Sequence, residues 1–341
     1  MKKDLKSLSI KELEQYLEEL GEKKFRAKQI FGWIYKGVDS FSEMTDLSKE
    51  LRQKLEDQTE LKRLQILKVQ NSEKDGTRKY LFGLEDGNSI ESVFMKYKFG
   101  NTVCISSQAG CRMGCSFCAS AFNGLQRNLT AGEMADQILS IEKDTGEKVG
   151  NIVVMGTGEP LDNYGNLSRF IENIHEKDGL NIGMRSITVS TCGLIPKMID
   201  LAKDFPQINV AVSLHAPNDS IRSKLMPISK RYPMDELLAA CNQHISLTGR
   251  RITFEYALVK GINDSDSQAE SLAARLRGIN CHVNLIPLNR VVETGLQGTE
   301  RSNVERFRDI LEKRGIQVTI RRELGGDIDA ACGQLRLKNN G

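Results

Sequence analysis

Eight cysteines occur in this chain of 341 residues, and three of them, Cys111, Cys115 and Cys118, form a C-x3-C-x2-C run within CISSQAGCRMGCSFC. Thiolates so close together on a tight loop suit three irons of a 4Fe-4S cluster. Zinc sites normally draw paired ligands from two separate places, and the sequence holds no second C-x2-C and no histidine pair. Three ligands leave one iron open, and an open iron is able to chelate the amino and carboxylate groups of S-adenosylmethionine (SAM). An electron passed into the sulfonium then breaks its C5′ bond and releases a 5′-deoxyadenosyl radical. Three small buried hydrophobes are the plain alternative, but the spacing and the loop glycines Gly110 and Gly114 speak for ligands.

Such a loop needs a rigid frame, and the pattern from Thr102 onward supplies one. The β-branched runs TVCIS, NIVVM, SITVS, NVAVSL, ITFEYALV, HVNLIP and QVTIR alternate with helical stretches, which predicts a parallel sheet with crossover helices. Polar and glycine residues follow these strands: Gly158 and Glu159 after NIVVM, Ser190 closing SITVS, Ser213, Leu214 and His215 closing NVAVSL, and Asn289 after HVNLIP. Convergence at strand C-terminal ends is what a β/α-barrel site requires. Six or seven units predict an incomplete (β/α) barrel whose open side admits a large substrate. Thr130 and Glu133 make a capping pair for the first crossover helix.

The preceding chain reads differently. Ser9 and Glu12 form a capping box before IKELEQYLEEL, Gly21 ends that segment, and FRAKQIFGWIYKG continues with helical periodicity. LQILKVQ, RKYLFGL and SIESVFMKY are short β runs separated by NSEKDGT and EDGN. The expected organisation is therefore α/β: an N-terminal helical module over 1–63, a β-rich connector over 64–98 and a partial barrel with a C-terminal catalytic loop over 99–341. A single core seldom grows beyond roughly 250 to 300 residues, which also favours one large unit and one small.

An apolar fraction of 39% with 27% charged residues is ordinary for a globular protein. No run of about 18 apolar residues is present, and MKKDLKSLSIKELEQYLEEL lacks the apolar segment and cleavage site of a secretory signal, so the cytoplasm is expected. Eight cysteines in a reducing compartment point to metal or thiol chemistry rather than a disulfide scaffold. The net charge of +3 mildly favours a polyanionic partner. No heptad seam calls for an oligomer, so a monomer is expected.

The triplet, with Phe117 before its last cysteine, resembles the radical SAM signature. The series CISSQAGCRMGCSFC, MGTGEPLDNY, ITVSTCG, AVSLHAPND, HVNLIPLN and DIDAACGQLR resembles that of the RlmN-type 23S rRNA and tRNA adenine-C2 methyltransferases, in the same order and over essentially the whole chain. The resemblance implies methylation of adenosine 2503 in 23S rRNA and adenosine 37 in tRNA. Adenine C2 is electron-poor and without a lone pair, so it cannot attack a methylsulfonium. The family solves this by first methylating a thiolate with one SAM and then abstracting hydrogen from that S-methyl group with a radical made from a second.

Carried onto this sequence, the resemblance makes Cys332 the S-methylcysteine carrier and Cys104 the resolving thiol of a transient disulfide. Glu91 becomes the proton acceptor, although a strand carboxylate considered alone is more often solvated. Gly158, Glu159, Ser190, Ser213, Leu214, His215 and Asn289 take the SAM-contacting positions. A low-potential electron donor of flavodoxin or ferredoxin type and a thiol reductant are implied partners. Cys192, Cys241 and Cys281 read as packed thiols, and His175, His244 and His282 as structural. Arg250 with Arg251, Lys230 with Arg231 and Arg321 with Arg322 are candidate phosphate contacts or solvated faces. Three other readings compete: a Cfr-type adenine-C8 methyltransferase, an activating enzyme that delivers the radical to a partner protein, and a metal-bound RNA module with Cys104 as fourth ligand.

Overall fold

The computed structural model describes residues 2–289, 294–322 and 324–328. The N-terminal module comprises β1 (Lys3–Asp4), α1 (Ile10–Glu19), α2 (Arg26–Tyr35), α3 (Lys49–Gln58) and β2 (Thr59–Glu60), with β1 and β2 paired in parallel. The expected capping box starts α1: the Glu12 amide donates to Ser9 Oγ at 3.2 Å, and the Ser9 amide donates back to Glu12 Oε2 at 2.9 Å. Leu13, Tyr16 and Leu17, spaced for one helical face, are buried.

Three antiparallel strands follow, β3 (Gln65–Asn71), β4 (Arg78–Gly83) and β5 (Ser89–Tyr97). They do not stand apart from the barrel, because β5 pairs with β6 (Gly100–Ile105), the first barrel strand. Beyond β6 lie the short hairpin β7 (Gln108–Gly110) and β8 (Leu125–Asn128), then α4 (Ala131–Thr145), β9 (Asn151–Val154), α5 (Tyr164–His175), β10 (Ile187–Thr191), α6 (Ile195–Asp204) and β11 (Asn209–Ser213). The remainder is α7 (Asp219–Leu225), α8 (Met234–Thr248), β12 (Ile252–Leu258), α9 (Asp266–Leu276), β13 (Cys281–Pro287), α10 (Arg301–Lys313) and β14 (Gln317–Ile320).

Among the described residues one sheet runs in the order β14-β13-β12-β11-β10-β9-β6-β5-β4-β3, parallel from β14 to β6 and antiparallel thereafter. The seven parallel strands are the β/α units read from the sequence. Their period-two pattern separates two faces. Val103, Ile105, Ile152, Val154, Val189, Val212, Phe254, Tyr256, Val283 and Leu285 join the core beneath the helices. The alternate residues, Cys104, Val153, Ser190, Ser213, Glu255 and Asn284 among them, therefore line the inner face.

Helix α4 ties module to barrel. The buried Asp136 carboxylate accepts from Lys6 Nζ, from Arg63 Nη1 at 2.9 Å and from the Leu64 amide at 2.7 Å. One residue on, the Gln137 side chain accepts from Ser92 Oγ and from the Ser106 amide, and donates to the Ser106 carbonyl. That single amide locks β5 to the end of β6, where the cysteine loop begins.

Candidate active site

The cysteine loop is held by main-chain bonds. The Cys111 amide donates to the Gly124 carbonyl at 3.0 Å, the Cys118 amide to the Cys115 carbonyl at 3.1 Å, and the Ser116 amide to Leu225 of α7 at 2.9 Å. Gly110 has φ +75°, and a Cβ there would lie 1.9 Å from the Gly124 carbonyl oxygen, so the turn accepts nothing larger. Gly158, with φ +105°, brings the β9 turn against the same region: a Cβ would lie 2.5 Å from Gln108 Cβ.

Cys111, Cys115 and Cys118 line one cavity of about 130 Å³ together with Gly158, Glu159, Ser190 and Ser213. Seven residues singled out in the sequence thus converge. Glu159 is fully enclosed. Its carboxylate accepts from the Leu161 amide at 3.1 Å and the Cys192 amide at 2.8 Å, and its own amide donates to Gln108 Oε1. Burial raises its pKa, with those backbone donors opposing the shift. The side chain cross-links the β9 and β10 turns, while the chain at Gly158–Glu159 forms the cavity wall.

Leu214 and His215 lie behind this wall. Leu214 is packed in the core, and His215 Nδ1 accepts from the Ala257 amide at 2.9 Å while its ring meets Phe117 edge-on at 4.7 Å. His215 adopts φ 54°, a left-handed conformation rare for a side-chain-bearing residue and found at constrained strand-end turns. Burial, then the nearby Arg222 charge, hold its pKa down to about 3. The unfolded chain takes up a proton near pH 6.5 that the fold refuses, so His215's contribution is lost as pH falls from 6.5 towards 3. Between pH 7 and 5 it should cost about 2 kcal/mol. Urea denaturation of His215→Gln at both pH values should show a correspondingly flatter dependence than wild type; equal slopes would mean the imidazole is protonated in the fold. Asn289, half-buried, follows the end of β13.

Glu91 and Cys104 occupy a neighbouring region. Glu91, on β5, is buried rather than solvated, with Lys79 Nζ at 2.9 Å from its Oε1. Alternation places it on the strand face shared by Val93 and Met95, and Val93 is the cross-strand neighbour of Cys104. Cys104 packs with Val93, Met95, Leu324 and Ile328 rather than in the wall of the triplet's cavity, which separates it from the fourth-ligand reading. Met155 touches this cluster and also lines the cavity, so the two regions adjoin. Cys332 lies outside the described residues.

Several residues were not legible as functional. Cys192, read as a packed thiol with pocket lining as the lesser alternative because it lies two residues beyond Ser190, is both packed and a cavity-wall residue, and Met155 and Met226 line the cavity too. Arg222 of α7, fully buried, donates to the carbonyls of Cys192 (2.8 Å), Ser213 (3.2 Å) and Leu214 (3.3 Å), pinning the ends of β10 and β11. Its only sequence signal is its place on a short helix just after a strand end. Cys241 and Cys281 are core thiols, as expected.

The residues fit an iron-sulfur cluster by donor chemistry: three thiols from one loop share a cavity with strand-end backbone and hydroxyl groups. Among the described residues no three His, Cys, Asp or Glu side chains are gathered as for a single metal ion. Burial pushes the Cys111 thiol up to about 12 and Cys115 higher still, so metal binding must displace protons there. No helix among the described residues is long and apolar enough to cross a membrane.

Comparison with known proteins agrees with this arrangement. The family described as the ribosomal RNA large subunit methyltransferase N-terminal domain matches residues 3–61, and the radical SAM superfamily matches residues 105–272. A probable dual-specificity RNA methyltransferase RlmN from Desulforamulus reducens is 57% identical over 99% of this chain and 97% of its own length. Another from Lachnospira eligens is 55% identical over 98% of this chain and 96% of its own. The crystal structure of a radical SAM methyltransferase from Sphaerobacter thermophilus superposes with a TM-score of 0.93, at 47% identity, over 98% of this chain and 99% of that one. The chain belongs to the RlmN-type dual-specificity RNA methyltransferases of the radical SAM superfamily.

Proposed function

We propose that the protein methylates C2 of adenosine 2503 in 23S rRNA and adenosine 37 in tRNA. Cys111, Cys115 and Cys118 would hold a 4Fe-4S cluster, with SAM along the wall formed by Gly158, Glu159, Ser190 and Ser213 and buttressed by Leu214, His215 and Asn289. When bound, the cluster and SAM supply an adenosyl radical and, from a second SAM, a methyl group. Cys332 carries that methyl as a thioether and, after losing a hydrogen atom, bonds to C2. Glu91 accepts the C2 proton as the adduct radical gives up one electron, which the oxidised cluster would take back. Cys104 then attacks the Cys332 sulfur, the displaced carbon takes up a proton to complete the methyl group, and the base is released, leaving a disulfide for a thiol reductant to open. A flavodoxin- or ferredoxin-type donor supplies the electron, and the enzyme works as a cytoplasmic monomer.

The observation that carries this reading is the adjacency of two regions. The triplet's cavity meets Met155, Met155 meets the Cys104 cluster, and that cluster contains Ile328, four residues before Cys332. Four residues span at most roughly 14 Å, so the chain length between Ile328 and the carrier thiol is compatible with a carrier that works beside Cys104. The test is anaerobic cluster reconstitution followed by reaction with methyl-labelled SAM, reductant and protein-free 23S rRNA or tRNA. Wild type should yield labelled 2-methyladenosine and Cys332→Ala none. Label in 8-methyladenosine would transfer the assignment to the C8 alternative, and adenosyl cleavage without RNA label would point to another substrate.

A further inference from the structure

A buried carboxyl group on the inner wall of the barrel has no part in the scheme above. Glu255 sits in β12 between Ser213 of β11, which lines the cavity, and Asn284 of β13. Its strand neighbours Phe254 and Tyr256 belong to the core, so its side chain takes the inner face. There it is 5% exposed. Asn284 Nδ2 donates to Glu255 Oε2 at 2.9 Å, Asn284 Oδ1 accepts from Thr319 Oγ1 at 3.1 Å, and Arg321 Nη1 stands 4.0 Å from Oε2. This polar chain fixes the carboxyl group from one side. Among the described residues Oε1 takes no hydrogen bond.

Enclosing a carboxyl group is costly unless its oxygens are satisfied. Here Oε2 is held by the protein, whereas Oε1 accepts from no protein donor among the described residues. Thr319 and Arg321, the outer members of this polar chain, also line a cleft of about 820 Å³ along β14, at the open edge of the sheet, where Arg301, Arg308 and Arg322 join them. Cys104 stands on β6, four strands away from β12 along the curved wall. In adenine, C2 and the exocyclic amine flank N1, so a base that turns C2 to the thiol wall carries its amine to a different wall.

We propose that Glu255 reads the target base by accepting a hydrogen bond from the exocyclic amine of adenine, thereby setting both the identity of the base and the direction of its C2. The inference rests on the adenine-C2 reading. A charge-assisted hydrogen bond to a buried carboxylate supports a preference on the order of 100-fold for a base that carries the amine over one that lacks it.

The test uses the full chain with its cluster reconstituted, and RNA hairpins bearing either adenosine or purine riboside at the target position; purine riboside keeps C2–H but has no amine. Wild type should favour adenosine by about 100-fold in kcat/KM. Glu255→Ala should lower the adenosine value by a similar factor while leaving purine riboside unchanged, so the preference collapses. Glu255→Gln, which still offers a carbonyl acceptor, should retain most of it. SAM affinity, deoxyadenosine formation without RNA and methyl loading of Cys332 should match wild type in both variants. Equal losses on the two RNAs, or weakened SAM binding, would make Glu255 a framework or cofactor residue and overturn the proposal. Absence of 2-methyladenosine with wild type would strike the underlying reading first, before any variant is compared.

Discussion

Cys104→Ala should stop turnover after one methylene transfer and leave RNA covalently attached to the protein. In the proposed cycle the first half needs only the carrier thiol, the radical source and a base to take the C2 proton, none of which is Cys104. The second half needs a nucleophile that attacks the carrier sulfur while the carbon bound to the base departs. Without that nucleophile the thioether bridge persists. Steady-state methylation should fall by at least about 10³-fold, the scale on which a member of a mutually dependent catalytic unit is missed.

The adduct is the decisive observable. Denaturing electrophoresis and mass spectrometry should show RNA joined to the Cys332 peptide in Cys104→Ala and not in Cys104→Ala/Cys332→Ala. Cys104 packs in a small apolar cluster, so its truncation should cost stability about 1 kcal/mol and leave SAM cleavage intact. Released 2-methyladenosine at the wild-type rate would remove Cys104 from the mechanism.

What the sequence made legible, and what it did not, divides along physical lines. β-branched runs such as NVAVSL and ITFEYALV announce buried parallel strands because both faces of those strands are covered, and the residues after them lie at the barrel mouth by construction. Capping boxes at Ser9 and Thr130 were readable because they are local. Glu91 was not readable as buried: its burial follows from β5 pairing with β4 on one side and β6 on the other, a long-range outcome. The same pairing makes the expected connector a continuation of the barrel sheet. Cys192, Met155 and Arg222 acquire their places only when separate turns meet. Arg222 in particular reads as a solvated helix residue until α7 folds back and turns it toward four carbonyls.

Asp136→Ala should be the most destabilising single change outside the cavity, by about 3 to 5 kcal/mol. Asp136 is fully buried and accepts from Lys6, Arg63 and the Leu64 amide, so two segments distant in sequence depend on one carboxylate of α4. Its removal leaves Lys6, itself 1% exposed, as an enclosed cation without its carboxylate, held only by the Lys62 carbonyl; burial already depresses the Lys6 pKa below 10.5, and Asp136 is the chief opposing influence. Arg63 can turn to water, but Lys6 cannot without moving β1. If the cost is mainly the unpaired charge, Lys6→Met/Asp136→Leu should recover more than half of it, since well-packed apolar replacements avoid desolvating ions. Urea denaturation measures both variants. A double variant as unstable as Asp136→Ala would shift the weight to the Leu64 amide and the Arg63 contact instead. Because Gln137 follows Asp136 on α4 and clasps β5 to Ser106, loosening this helix also relaxes the strands that carry Glu91 and Cys104, so methyl transfer in Asp136→Ala should lose its activity at a lower urea concentration than in wild type.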